Sequence, residues 1–153
     1  AIHQFFVDND RINFHTGLDN EHDVKDGCPF EGCRFLVGSS IDIFTEIPDS
    51  TQHFIFLDAC HNYAYSMIDL LLYSEKVRIG GYLAMHDTSP YIKPFQDYQG
   101  LGNKFHPDMF ISCRKALKRL GVYNNKFEGF ELVFDEADPH AMTGGVTVIK
   151  RLS

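Results

Sequence analysis

The stretch that decides the fold runs from Phe54-Ile55-Phe56-Leu57-Asp58 to Gly80-Gly81-Tyr82-Leu83-Ala84-Met85-His86-Asp87-Thr88. Two continuous apolar runs each end in a carboxylate. Between them Ala64, Met67, Ile68, Leu71 and Leu72 recur at helical spacing, which predicts a helix with that stripe facing a sheet. Gly80-Gly81 predicts a break before the second run. Strand, helix, break and strand within about 30 residues make one βαβ unit. Such crossovers are right-handed in nearly every case, so both strands point the same way.

The same pattern extends outward. Phe5-Phe6-Val7 precedes Asp8, and Phe35-Leu36-Val37 precedes Gly38-Ser39-Ser40. Continuous rather than alternating apolar runs suit strands covered on both faces, as in a parallel sheet. Residues 9–32 should hold a crossover helix, although Gly17, Gly27, Pro29 and Gly32 interrupt it. A further helix is predicted from Pro107 to Leu120, with Met109, Phe110, Cys113, Leu117 and Leu120 as its stripe and Gly121 as its stop. Residues 130–134 and 145–149 read as two strands of an antiparallel hairpin. The expected class is α/β, a Rossmann-like, mostly parallel sheet flanked by helices and ending in an antiparallel C-terminal hairpin. Residues 1–153 form a single domain in this reading. Thr88 to His106 follow no period and carry four aromatic residues among prolines and glycines, which suits a substrate lid.

At 153 residues the chain can bury roughly two-thirds of its unfolded surface. Lys and Arg total 14 against 21 Asp and Glu, a net charge of -7, so no basic face for nucleic acid is expected. Arg114, Lys115, Lys118 and Arg119 read as the solvated face of the helix that carries them. No apolar stretch is long enough to span a membrane and no signal peptide is visible, so a cytoplasmic location is expected. Cys28 and Cys33 form a lone C-x4-C without the second pair of a structural zinc site, and with Cys60 and Cys113 they read as reduced thiols. A small-molecule partner is favoured. The terminal hairpin offers an edge through which a homodimer could form.

In open parallel sheets, ligands bind beyond the carboxyl ends of the strands. Asp8, Gly38-Ser39-Ser40, Asp58 and His86-Asp87 all fall at such ends. Asp58 and Asp87 should approach each other, and with His86 they make a candidate divalent-metal site. Either aspartate alone reads equally well as a helix cap or turn residue. His61, three residues after Asp58, has the side chain of a general base at neutral pH or of a capping residue. Ser39 with Asp42 three residues on can cap a helix. Asp8 is placed to grip a ribose diol.

Taken together, Phe54 to Tyr63 with Asp58 and His61, then Asp69, then Gly80-Gly81 leading to His86-Asp87-Thr88, resemble small-molecule class I S-adenosylmethionine-dependent methyltransferases. The metal-dependent O-methyltransferases of catechols and of antibiotic sugars are the nearest in pattern. The likeness is strongest over residues 35 to 90, and the terminal hairpin agrees in kind. The resemblance implies S-adenosylmethionine as cofactor, contacted by Asp8, Gly38, Ser39, Ser40 and Asp58, with Ser40 at the adenine. It implies His61 with Asp58 in catalysis, and Asp58, His86 and Asp87 where metal-dependent members hold Mg²⁺. His86 departs from the acid usual there, so the resemblance leaves open Mg²⁺, another metal, or none.

No Gly-x-Gly turn precedes Asp8, and Gly144-Gly145 lies at the wrong end for one. The opening strand and glycine loop of this fold are therefore expected upstream of Ala1. The implied reaction is methyl transfer to a hydroxyl of a sugar, phenol or natural product. A non-catalytic Rossmann-like binding domain that has lost its cofactor, and less so a metal-dependent hydrolase built on His86-Asp87, are the rival readings.

Overall fold

A computed structural model describes residues 4–8, 14–19, 34–58, 61–91, 112–136 and 144–153. Among them, seven strands form one sheet: β1 (Gln4–Asp8), β2 (Phe14–Asp19), β3 (Arg34–Val37), β4 (Gln52–Leu57), β5 (Val77–His86), β6 (Phe130–Asp135) and β7 (Val146–Arg151). The spatial order is β3-β2-β1-β4-β5-β7-β6. The helices are α1 (Ser40–Ile43), α2 (Tyr63–Ser74) and α3 (Cys113–Leu120). No described helix is long and apolar enough to cross a membrane.

The Rossmann-like α/β class and the terminal antiparallel hairpin are both present. Strands β2 and β3 pair in parallel, as do β4 and β5, whereas β1 runs against both neighbours and β7 against both of its own. All strands except β1 and β7 therefore point one way. The reversal of β1 has a local cause: β1 ends at Asp8 and β2 begins at Phe14. That gap is far short of the roughly dozen residues a parallel crossover needs. The crossover helix expected within residues 9–32 is contradicted where β2 lies, and the rest of that segment is outside the described residues.

Two further expectations are corrected. Gly80-Gly81 does not precede β5 but lies within it, as a bulge: Gln52 pairs with Val77, yet Phe54 already pairs with Tyr82. A Cβ at Gly81 would stand 2.9 Å from the His53 carbonyl oxygen and 3.0 Å from that of Gln52, so the partner strand's backbone excludes a side chain there.

The buried face of α2 is only partly the apolar stripe, of which Met67 and Leu72 pack against the core. Ser66, Asp69, Leu70 and Tyr73 point inward, whereas Ile68 and Leu71 are 36% and 46% exposed. The inward polar groups are satisfied from afar. Ser40 Oγ donates to Asp69 at 2.7 Å, Tyr73 donates to the Ser40 carbonyl at 2.9 Å, and Ser66 Oγ lies 3.4 Å from Cys113 Sγ. The Ser40 bond offsets part of the cost of burying the Asp69 carboxyl.

The core joins Ile55 and Leu57 of β4, Leu83 and Met85 of β5, Ile149 of β7, Leu70 and Tyr73 of α2 and Leu117 of α3. Each such side chain contributes about 1.5–3 kcal/mol of burial. This layer fixes the ends of β4 and β5 relative to α2 and α3. Of the predicted 107–120 helix, Cys113–Leu120 is observed, with Gly121 in the left-handed conformation at its end; Pro107, Met109 and Phe110 lie outside the described residues. So do residues 92–106 of the expected lid.

Candidate active site

Register brings the chemistry together. Leu57 pairs with Met85 in parallel, so Asp58 and His86 leave the sheet side by side. The chain after Asp58 is carried to α2, whose N-cap Asn62 accepts from the Tyr65 amide at 3.0 Å. His61 precedes that cap, and its carbonyl accepts from the Ser112 amide at 2.7 Å, which moors it to the start of α3.

His61 Nε2 lies 3.2 Å from Asp58 Oδ1 and 3.1 Å from Asp87 Oδ2. His86 Nδ1 lies 3.4 Å from Asp58 Oδ1 and 3.4 Å from Asp87 Oδ1. Two carboxylates and two imidazoles thus alternate at the carboxyl end of β4 and β5. Asp58, His61 and Asp87 each offer a donor atom within 4.8 Å of the others. The His61 bond, then the His86 contact, hold the Asp58 carboxyl well below the usual carboxylate range. Asp58 and then Asp87 push the His86 imidazole up to about 10. The His86 Nδ1 atom is buried between the two carboxylates, at the long end of hydrogen-bond distance from each.

Asp87 adopts a left-handed backbone with φ 56°. Such conformations cost energy in a non-glycine residue and persist where surroundings enforce them. Here the Ser89 amide donates to the Gly144 carbonyl at 2.7 Å, and the Thr88 and Thr147 hydroxyls are hydrogen-bonded at 2.8 Å, Thr88 donating because the one Thr147 hydroxyl hydrogen goes to Asp135. Thr147 also reaches Asp135, which Arg114 grips through both carboxylate oxygens. Arg114 further donates to the Thr88 carbonyl at 2.8 Å and stacks on Tyr123 at 4.3 Å. Arg114 is therefore no part of a solvated face. Lys115, Lys118 and Arg119 are exposed, as expected.

The other predicted residues are distributed unequally. Ser39 caps α1, its hydroxyl accepting from the Ile41 amide at 3.4 Å, and Gly38 and Ser40 adjoin it at the same edge of the sheet as Asp58. Ser40 is buried with its hydroxyl committed to Asp69. Asp8 ends β1, which runs antiparallel, and so stands at the opposite edge, past the pairing of Val7 with Phe54. The acidic residue brought to the site's edge is Asp19, which pairs with Val37. Sequence reading missed Asp19, Arg114, Asp135, Thr147 and Gly144. Asp19 was legible in principle, as a carboxylate closing a strand; the others depend on contacts between distant segments.

No protein-family model and no curated protein sequence matches the chain. Solved structures share its fold. A Corynebacterium glutamicum protein matches at TM-score 0.58 and 16% identity, over 90% of this chain and 60% of its own. The O-methyltransferase TomG of Streptomyces achromogenes, involved in tomaymycin synthesis and solved with S-adenosylmethionine, matches at TM-score 0.57 and 12% identity, over 90% of this chain and 61% of its own. The S-adenosylmethionine-dependent methyltransferase SibL, in its apo form, matches at TM-score 0.52 and 14% identity, over 90% of this chain and 43% of its own. The chain thus spans about 60% of the first two structures.

Proposed function

We propose that the chain forms the greater part of an S-adenosylmethionine-dependent methyltransferase domain acting on a hydroxyl of a small molecule. The observation that carries this reading is the convergence of Asp58, His61, His86 and Asp87 beyond the carboxyl ends of β4 and β5, where α/β sheets of this kind bind their ligands. The shared fold with TomG, solved with this cofactor, supports it. So does the single acidic network linking both strand ends, which a bare scaffold would have no reason to assemble.

When bound, S-adenosylmethionine supplies a methyl group on a positively charged sulfur. Gly38 and Ser39, at the turn into α1, border the cofactor, and Ser40 holds that turn rigid through Asp69 and Tyr73. Asp19 ends β2 at that same edge, the backbone position from which an acidic residue meets a ribose in sheets of this kind. His61 removes the acceptor's proton as the oxygen–methyl bond forms and the methyl–sulfur bond breaks. Carboxylates only accept, so the two that flank Nε2 fix the ring hydrogen there. Asp58 then stabilises the imidazolium. Alignment of acceptor and methyl donor can contribute about 7–11 kcal/mol toward the barrier.

Calorimetry of the full-length protein with S-adenosylmethionine tests the reading. Binding, followed by methylation of a hydroxyl acceptor, is the expected result. A folded full-length protein that takes up no cofactor would instead be a binding domain, and turnover of a phosphoester without the cofactor would make it a hydrolase.

A further inference from the structure

The contact between His61 and Asp87 joins two separate turns, and the start of α3 holds both. The Ser112 amide donates to the His61 carbonyl at 2.7 Å. Two residues on, Arg114 Nη1 donates to the Thr88 carbonyl at 2.8 Å, beside Asp87 in the chain. So moored, His61 Nε2 and Asp87 Oδ2 stand 3.1 Å apart.

Thr88 is held by all of its polar groups. Its amide donates to the Gly145 carbonyl at 3.4 Å, its carbonyl accepts from Arg114, and its hydroxyl donates to Thr147 Oγ1 at 2.8 Å. Asp135 sets that order. Arg114 keeps it a carboxylate, which only accepts, so the Thr147 hydrogen goes to it at 2.8 Å. The Thr147 oxygen is then left to accept from Thr88, and from Tyr123 at 3.0 Å. Thr88 and Thr147 are 0% and 1% exposed, so water does not replace a bond lost between them. All of this fastens the neighbour of Asp87, whose own backbone is kept at φ 56°. Strain enforced in this way clusters where a side chain must be aimed.

We infer that Thr147, anchored by the Arg114–Asp135 pair, is a positioning residue: acting through Thr88, it aims the Asp87 carboxylate at His61 Nε2 and so orients the imidazole that takes the acceptor's proton. The inference rests on the reading above in giving His61 that task, but the geometry it claims exists before cofactor or acceptor binds.

Proton NMR of the full-length protein carrying isotope-labelled histidine tests it with neither of them present. An imidazole N–H bonded to carboxylates resonates far downfield and loses that shift as the bond lengthens. The His61 Nε2 proton, identified by its loss in His61→Ala, should lie downfield in the parent, and Asp87→Ala should shift it upfield. Thr147→Val keeps the shape, removes the hydroxyl and should also shift it upfield; Thr147→Ser should hold it at the parent position. Thr147→Val added to Asp87→Ala should move it no further, because Thr147 acts through Asp87. Thr88→Val removes the same bond from its other end and should match Thr147→Val, so a misfolded Thr147→Val protein leaves the inference testable. A merely structural bond would lower the melting temperature of the Val variants and leave the resonance in place, which overturns the inference. No downfield resonance in the parent, none of the shift in Asp87→Ala, an equal shift in Thr147→Ser, or a further shift in the double variant would each do the same. The expected shifts in a protein that takes up no S-adenosylmethionine would sink the methyltransferase reading and leave this one standing. Cofactor binding with unmoved resonances would do the reverse.

Discussion

Arg114 holds Asp135 through two parallel hydrogen bonds, Nη1 to Oδ1 at 3.0 Å and Nη2 to Oδ2 at 2.8 Å. This one pair joins α3 to β6, and through Thr147 and Thr88 it braces the turn that presents Asp87. Burial alone would raise the Asp135 pKa; the bonds from Arg114 and Thr147 outweigh it and hold the carboxylate low.

Both side chains of that pair are largely buried, at 19% and 18% exposure. Removing one leaves the other charged without its partner, which costs about 3–5 kcal/mol. Arg114→Ala should lower the free energy of urea unfolding by that order. Arg114→Lys should also destabilise, because an ammonium supplies neither the two-pronged grip nor the stacking on Tyr123. Two variants as stable as the parent would show the pair to be incidental.

Asp69 predicts a pH dependence with a definite sign. Burial raises its pKa from 3.8 to about 6, against the opposing pull of the Ser40 bond. A carboxyl with a folded pKa above its unfolded one contributes its full stability below pH 3.8 and loses it as pH rises through about 6. At neutral pH the folded state therefore bears a cost on the order of 2–3 kcal/mol. Asp69→Asn keeps an oxygen for the Ser40 hydroxyl and removes the charge. Its unfolding free energy should exceed the parent's above pH 6.5 or so and fall less between about pH 4 and 6. Parallel pH profiles for the two proteins would refute the assignment.

Replacing His61 separates proton removal from cofactor binding. His61→Ala should reduce the methyl-transfer kcat by about 10²–10⁴-fold. The dissociation constant for S-adenosylmethionine, measured by calorimetry, should stay near the parent value. An undiminished kcat would exclude His61 as the base.

Gly144 is required by close approach. It has φ +36°, and a Cβ there would meet Asp87 Oδ1 at 2.5 Å and His86 Nε2 at 2.8 Å. Gly144→Ala should destabilise the fold by about 1–3 kcal/mol, from backbone strain and displacement of the two site residues. Thermal unfolding measures the loss; an unchanged melting temperature would mean the segment moves aside without cost.

Much of this molecule was legible as one-dimensional pattern. The apolar runs ending at Val7, Val37, Leu57 and Met85 lie in strands, as continuous apolar runs of that length predict. One parallel unit sufficed to place Asp58 beside His86-Asp87, since the direction of a βαβ crossover is fixed by its handedness. The roles of Ser39 as a cap and Gly121 as a stop were likewise local.

Tertiary structure decided what local pattern could not. The inward face of α2 carries Ser66 and Asp69 because Cys113 and Ser40, remote in sequence, satisfy them. Strand direction in β1, set by the short gap between Asp8 and Phe14, put Asp8 at the far edge, and the pairing of β2 with β3 left Asp19 at the near one. Arg114 turned inward because Asp135 lay opposite, and Gly144 fills a gap that exists only once the hairpin folds back over Asp87. Periodicity reports how a residue relates to its own element. The partners that make a buried charge affordable come from other elements, and only the folded chain brings them within bonding distance.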